Sequence, residues 1–254
     1  MSKPLALGLG FWFCLAASTG ARAEDVKVYA AGAVQHVVLE TKAAFERASG
    51  FVLVPIFGTV GALRDRIVAG EAADATILST DGMKALEDRG LIRAGQSRVV
   101  GSTGPAIAHR AGAPKPDIST PEALRATLLA SRSIAYGDPS RGATAGIHFA
   151  KVLEALGIAE AMKPKTHLVP FGVEGIERVA KGQSELAVSQ ATEILANPGV
   201  GLAGSLPPPY RIGTSYAAAA IASAKAPAGA QAYVEFLLSP AGLAKFRASG
   251  FADP

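Results

Sequence analysis

Short apolar runs alternate with stretches of three- and four-residue apolar spacing along most of this chain, a rhythm that admits few architectures besides an α/β fold. Residues 26–30 read as a strand. Val34, Val37, Val38, Thr41, Ala44, Phe45 and Ala48 then mark the buried face of a helix that Gly50 closes. Residues 51–57 give a second strand, which Pro55 assigns to an edge or an end. A helix over 61–69 stops at Gly70, a third strand spans 75–78, and a helix from Asp81 stops at Gly90. Three strand-to-helix units in so short a stretch require a parallel sheet with helices on its faces.

The apolar run 99–108 is followed by Gly112, Pro114 and Pro116, a change of composition expected where the chain crosses between lobes. A second α/β set follows. Thr120 and Pro121 start a helix, 134–136 is a strand, 145–156 is a helix ended by Gly157, and 167–169, 173–180 and 186–188 continue the alternation. Pro207, Pro208 and Pro209 lead into the apolar run 216–222, expected as the return crossing, and helices over 231–238 and 241–249 finish the chain. The expected division is residues 24–104 with 222–254 in one lobe and 105–221 in the other, joined by two crossing strands with a ligand cleft between them. From periodicity alone, one continuous sheet is the competing reading.

Residues 1–23 set the compartment. Lys3, an apolar run over 5–17 and Ala21-Arg22-Ala23 form an export signal with a core too short to span a bilayer, and cleavage is expected after Ala23, which places the protein in the periplasm. An uncleaved membrane anchor is the alternative. The single cysteine, Cys14, lies in this segment, so residues 24–254 have no thiol for a disulfide, a metal or nucleophilic catalysis. Without Lys3 and Arg22 the balance is 23 basic against 21 acidic residues. That small excess tolerates anionic ligands and gives no reason to expect nucleic acid.

In parallel sheets, ligands sit beyond the carboxyl ends of strands, against the starts of the following helices. The loops concerned are Ala30-Ala31-Gly32-Ala33, Phe57-Gly58-Thr59-Val60-Gly61, Ser79-Thr80-Asp81, the stretch from Gly137 to Thr144, Phe171-Gly172-Val173 and Ser189-Gln190. They offer amides, hydroxyls, one side-chain amide and the Arg141 guanidinium, a donor set suited to an anion. His36, His109, His148 and His167 have no metal-ligand spacing, and no nucleophile elbow or phosphate-cradling Walker loop is present. No metal or cofactor is expected. Asp74 and Asp138 are the best-placed carboxylates; Asp138, before Pro139, reads equally well as a turn former.

Val28-Tyr29-Ala30-Ala31-Gly32-Ala33, the stretch from Phe57 to Leu63, Ala72-Ala73-Asp74-Ala75 with Ser79-Thr80-Asp81, Gly137-Asp138-Pro139 with Ala145-Gly146, and Ser239-Pro240 through Phe251 resemble, in order and spacing, the periplasmic molybdate-binding proteins of ABC importers. The resemblance covers nearly all of residues 24–254. It implies a type II periplasmic binding-protein fold closing on its ligand by a hinge motion, a small anionic ligand, a permease partner in the inner membrane and a monomeric state. In that family serine hydroxyls and a tyrosine hydroxyl hold the oxyanion. By alignment those positions are Ala33, Val60 and Gln190 here, while the backbone donors fall at Thr80 and Val173. Each lost donor costs about 1–3 kcal/mol, so molybdate loses most of its hold and an organic carboxylate becomes an alternative. The expected ligand-binding residues are Gly32, Ala33, Thr59, Val60, Thr80, Arg141, Val173 and Gln190.

A branch similar to this family includes aconitate isomerase, whose allylic proton shift needs a base beside an acidic carbon. In that alternative His36 is the candidate base and Arg141 the carboxylate clamp, against the competing reading of His36 as an exposed helix residue. Capture without catalysis is the expectation.

Overall fold

The computed structural model describes residues 24–254; the export signal read at residues 1–23, with Cys14, lies outside them. Lobe 1 begins with β1 (Asp25–Ala31), a 3-10 turn (Gly32–Val34), α1 (Gln35–Ser49), β2 (Val52–Gly58), α2 (Val60–Val68), β3 (Ala75–Ser79), α3 (Thr80–Glu87) and β4 (Arg98–Thr103). Lobe 2 contains β5 (Pro105–Arg110), α4 (Pro121–Ala130), β6 (Ile134–Gly137), α5 (Thr144–Ala155), α6 (Ala159–Met162), β7 (Thr166–Val169), α7 (Gly172–Ala180), β8 (Leu186–Gln190), α8 (Ala191–Leu195) and β9 (Val200–Ser205). The chain then returns to lobe 1 with β10 (Thr214–Ala220), α9 (Pro227–Leu238) and α10 (Pro240–Ala248).

Each lobe is built on a five-stranded mixed sheet, ordered β2-β1-β3-β10-β4 in the first and β7-β6-β8-β5-β9 in the second. The strand-to-helix units supply parallel neighbours, β1 beside β2 and β3, and β6 beside β7 and β8. The strand arriving from the other lobe enters antiparallel: β10 pairs with β3 and β4, and β5 with β8 and β9. Pro55 does lie in an edge strand, where its missing amide hydrogen costs no ladder bond.

The outward crossing falls at the boundary expected after residue 104, though not at the 112–116 segment, while the return crossing differs from the sequence expectation. The outward crossing is at Gly104, between β4 and β5, and the segment with Gly112, Pro114 and Pro116 lies within lobe 2 ahead of α4. The return runs through residues 206–213, because β10 is hydrogen-bonded into the first sheet over its whole length, ahead of the expected boundary at 221. An apolar strand reads alike in either sheet, so only its pairing reveals the lobe it belongs to.

Local chemistry explains the helix ends. Gly50 takes a left-handed φ of 77° to close α1, and Thr120 accepts the Ala123 amide at 3.1 Å to open α4. Phe45 packs edge-to-face on Tyr233 with ring centroids 5.0 Å apart, joining α1 to α9 in the lobe 1 core. Tyr136 and Phe149 repeat the arrangement in lobe 2 at 5.2 Å. Rigid cores on both sides leave the interlobe loops as the place where the molecule can adjust.

Candidate functional site

The carboxyl ends of β1, β2, β6 and β8 and the start of α7 converge on a small, partly open cavity between the lobes. Lobe 1 lines it with Ala31, Gly32, Ala33, Gly58, Thr59, Val60 and Tyr216. Lobe 2 adds Gly137, Ala143, Thr144, Ala145, Gly146, Phe171, Gly172, Val188, Ser189, Gln190 and Glu193. Its volume is about 40 Å³, and one water needs about 10–15 Å³ by that measure. The lobes are therefore closed over room for a few water-sized groups.

Three contacts hold them closed. The Gly61 amide donates to the Gly142 carbonyl at 3.2 Å, the Thr59 hydroxyl donates to the Arg141 carbonyl, and the Thr192 hydroxyl donates to the Ala33 carbonyl at 3.0 Å. Thr59 also accepts the Ala62 amide at 3.1 Å. Its hydroxyl is thus engaged as a helix cap and lobe bridge and does not stand in for the serine missing at Val60.

Away from the cavity, α3, α4 and α10 are capped by the side chains of Ser79, Thr120 and Ser239. Three of the helix starts that face it are different, while Thr59 caps α2 there. The 3-10 turn leading into α1, α5 and α7 begin after Ala31, Ala143 and Phe171, none of which supplies a side-chain cap. Amides at a helix start carry partial positive charge and need acceptors, so three unfilled starts around one cavity form an anion-attracting wall. Among the described residues no Lys, Arg or His lines the cavity itself.

Gln190 is 3% exposed, and both polar atoms of its side chain are buried without a well-formed hydrogen bond among the described residues, the Tyr216 hydroxyl being the polar group that comes near them. A buried amide left unpaired costs about 1–3 kcal/mol, which a ligand making those bonds recovers. Beside it lies a group of the opposite character. The Glu193 carboxyl accepts the Ser189 hydroxyl and, at 3.1 Å, the Gln190 amide, both on Oε2. Burial holds this carboxyl above its usual range, and the two hydrogen bonds oppose that shift.

Gly32 and Gly172 admit the Glu193 carboxyl between two helix starts. A Cβ on Gly32 would collide with Oε1, and one on Gly172 would stand 2.9 Å from Oε2. Tyr216, wholly buried on the opposite wall, is pushed up by burial and by the neighbouring Glu193, so its hydroxyl stays protonated and able to donate.

Of the eight ligand residues expected from sequence, Gly32, Ala33, Thr59, Val60 and Gln190 line the cavity. Thr80 opens α3 and is not part of the lining, because that helix start is closed by Ser79. Val173 lies one residue beyond the lining, in a neighbouring groove of about 210 Å³ that also holds His36. Arg141 is exposed and absent from the cavity lining; it borders a separate groove between the lobes with Arg64 and Asp65, and its carbonyl accepts the Thr59 hydroxyl. His36 has a side chain 52% exposed and stands 3.9 Å from Glu40, on the outward side of α1. The two carboxylates singled out from sequence are structural. Asp74 accepts the amides of Lys27, Lys225 and Ala226 at 2.7–2.9 Å, and Asp138 accepts the Ser140 amide at 2.9 Å.

Sequence reading missed Glu193, Tyr216 and Thr144. Glu193 stands three residues after Gln190, the spacing of an ordinary capping box, which conceals a carboxyl turned into a cleft. Tyr216 belongs to the misassigned return strand.

The pattern of the bacterial extracellular solute-binding proteins matches residues 26–252. The chain belongs to that family. Among curated proteins it is 30% identical over 219 residues to an aconitate isomerase of a Pseudomonas species, covering 84% of this chain and 81% of that one. The periplasmic molybdate-binding protein of Azotobacter vinelandii superposes with a TM-score of 0.75 at 20% identity, over 90% of this chain and 99% of the other. The sulfate-binding protein SubI of Mycobacterium tuberculosis gives 0.68 at 16% identity, over 91% and 87%. These two likenesses establish the type II periplasmic binding-protein fold, with its two α/β lobes.

Proposed function

We propose that this chain captures a small organic carboxylate in the interlobe cleft, as the solute-binding component of an ABC importer acting in the periplasm. The observation that carries the reading is the buried, unpartnered amide of Gln190 facing three uncapped helix starts. A carboxylate at those starts would meet their amides, and Gln190 would be satisfied by the ligand and the water it brings.

Two features favour carbon acids over a tetrahedral oxyanion. Ala33 and Val60 present methyl groups where the molybdate-binding proteins place hydroxyls, and Phe171 and Val188 extend that apolar surface toward a carbon skeleton. Isothermal titration of residues 24–254 with mono-, di- and tricarboxylates, molybdate and sulfate tests the proposal. Heat with a carboxylate and none with molybdate is expected; binding of molybdate alone would overturn it.

A second reading adds turnover to capture. The relative at 30% identity is an aconitate isomerase matched over most of both chains, which supports isomerisation of an unsaturated carboxylate on this fold. A six-carbon acid needs more than the present 40 Å³, so this reading requires the lobes to stand further apart around substrate. Conversion of cis- to trans-aconitate, followed by proton NMR, tests it; unchanged substrate at high protein concentration rejects it.

A further inference from the structure

We propose that Glu193 is the acid–base residue of the cleft, carrying one proton between two carbons of a bound unsaturated carboxylate. This rests on the isomerase reading.

Position is the first argument. Among the described residues, Glu193 and Tyr216 are the only titratable groups lining the cavity, and of these Glu193 is the carboxyl, able to accept a proton where the buried Tyr216 hydroxyl stays protonated. Oε2 is fixed by Ser189 and the Gln190 amide, while Oε1 accepts no hydrogen bond among the described residues and lies against the Gly32 backbone at the cavity wall. One oxygen is therefore anchored and the other is free to exchange a proton. His36, the base expected from sequence, is half-exposed beside Glu40 and is absent from the cavity lining, although it shares with Glu193 the neighbouring groove.

Surroundings are the second. The elements packed on Glu193 present Ser189 and Gln190 from β8, the Gly32 backbone from the 3-10 turn, the Gly172 backbone from α7 and Tyr216 from β10. No Lys or Arg forms an ion pair with it among the described residues. A carboxyl so placed is a stronger base than one in water, because burial penalises its charged form, yet two donors keep that form accessible. Such a carboxyl accepts a carbon-bound proton more readily than one in water does.

The step balances without a co-reactant. Ionised Glu193 takes a proton from the methylene carbon between a carboxylate and the double bond; that C–H bond breaks and its electron pair enters the allylic system. The negative charge spreads onto the substrate carboxylate, where uncapped amides and the Tyr216 hydroxyl are placed to receive it. Protonated Glu193 then returns the proton to the far alkene carbon, a new C–H bond forms, and the double bond has moved by one position. In aconitate both ends carry a carboxylate, so the shift restores the connectivity and changes the geometry about the double bond.

The experiment compares wild type with Glu193→Gln on cis-aconitate in D2O, following isomerisation and deuterium incorporation by NMR and binding by calorimetry. Expected are turnover by wild type with less than one solvent deuterium gained per turnover, as return of the same proton requires, loss of turnover by at least about 100-fold in the variant, and affinity retained within about threefold. Variant turnover within about fivefold of wild type overturns the role of Glu193 and leaves the isomerase reading standing. No turnover by wild type overturns both. If Glu193→Gln fails to fold or to bind, Glu193→Asp decides: reduced turnover that still rises with pH, with a displaced midpoint, supports the proposal, and a wild-type profile overturns it.

Discussion

The Thr192 hydroxyl of lobe 2 donates to the Ala33 carbonyl of lobe 1 at 3.0 Å, across a sequence separation of 159 residues. Thr192 is 2% exposed and precedes Glu193, so the bond that closes the lobes and the carboxyl that enters the cleft share one short helix. Closure and site assembly are therefore the same event. Thr192→Val keeps the shape of the side chain and leaves the Ala33 carbonyl unpaired only in the closed form, because water reaches it when the lobes part. Ligand affinity is expected to fall about 3- to 10-fold, equivalent to roughly 0.5–1.5 kcal/mol for one hydrogen bond, with the melting temperature of the free protein nearly unchanged. Calorimetry and a thermal scan on the same samples check this.

Arg141 supplies closure through its carbonyl, and the residue is exposed and outside the cavity lining. Arg141→Ala is expected to leave the affinity for a small carboxylate within about twofold of wild type, as measured by titration. A loss of 10-fold or more would mean that the guanidinium swings inward on binding, as the wider cleft of the isomerase reading would allow.

The alternation of strands and helices was legible because each lobe follows the same local rule, an apolar strand and then a helix stopped by glycine. Gly50, Gly70, Gly90 and Gly157 all adopt the left-handed φ such stops need. The lobe boundary was less legible, since β4 and β5 form one apolar run and only hydrogen bonding separates them at Gly104. At the site, Gly32, Ala33, Thr59, Val60 and Gln190 could be located because loop position survives in sequence. Direction does not: nothing in the spacing reveals that Arg141 stays out of the cavity lining, that Thr59 spends its hydroxyl on the Arg141 carbonyl, or that Glu193 reaches the cavity.

Asp74 ties the base of lobe 1 together, its carboxylate accepting Lys27 N at 2.8 Å, Lys225 N at 2.7 Å and Ala226 N at 2.9 Å. It is 6% exposed, so removing it strands three amides away from water. Asp74→Ala is expected to destabilise folding by about 3 kcal/mol in urea denaturation, within the range for breaking a buried charged hydrogen-bond network. The cleft is distant in topology, and carboxylate affinity should be retained wherever the variant is folded.

Glu193 also makes stability depend on pH. Its carboxyl binds a proton more tightly folded than unfolded, so the contribution is full below the usual carboxyl value of 4.5 and is lost as pH rises through the raised folded value. Above that value the loss is constant. Glu193→Gln removes the buried charge while retaining an acceptor for Ser189. The variant is therefore expected to melt higher than wild type at pH 7–8, with the gap shrinking toward zero near pH 4, in thermal scans across that range. A gap independent of pH would show that Glu193 is not held in its neutral form by folding.

Gly61 separates closure from folding most cleanly. It sits at the start of α2, where its amide reaches the Gly142 carbonyl, and a Cβ added there would stand 2.6 Å from Gly142 Cα and 3.2 Å from the Arg141 carbonyl. Both obstacles are backbone, so the closed lobes cannot yield locally and must part. In the open form the same methyl group meets water, and alanine favours a helix over glycine by up to about 1 kcal/mol. Gly61→Ala should thus leave folding stability unchanged or raise it slightly, while weakening ligand binding by at least about 10-fold. Small-angle scattering should show wild type contracting when ligand is added and the variant failing to do so. Equal contraction in both would mean that the lobes close without bringing α2 against the loop at Gly142, and the contact at Gly61 would lose its place in ligand capture.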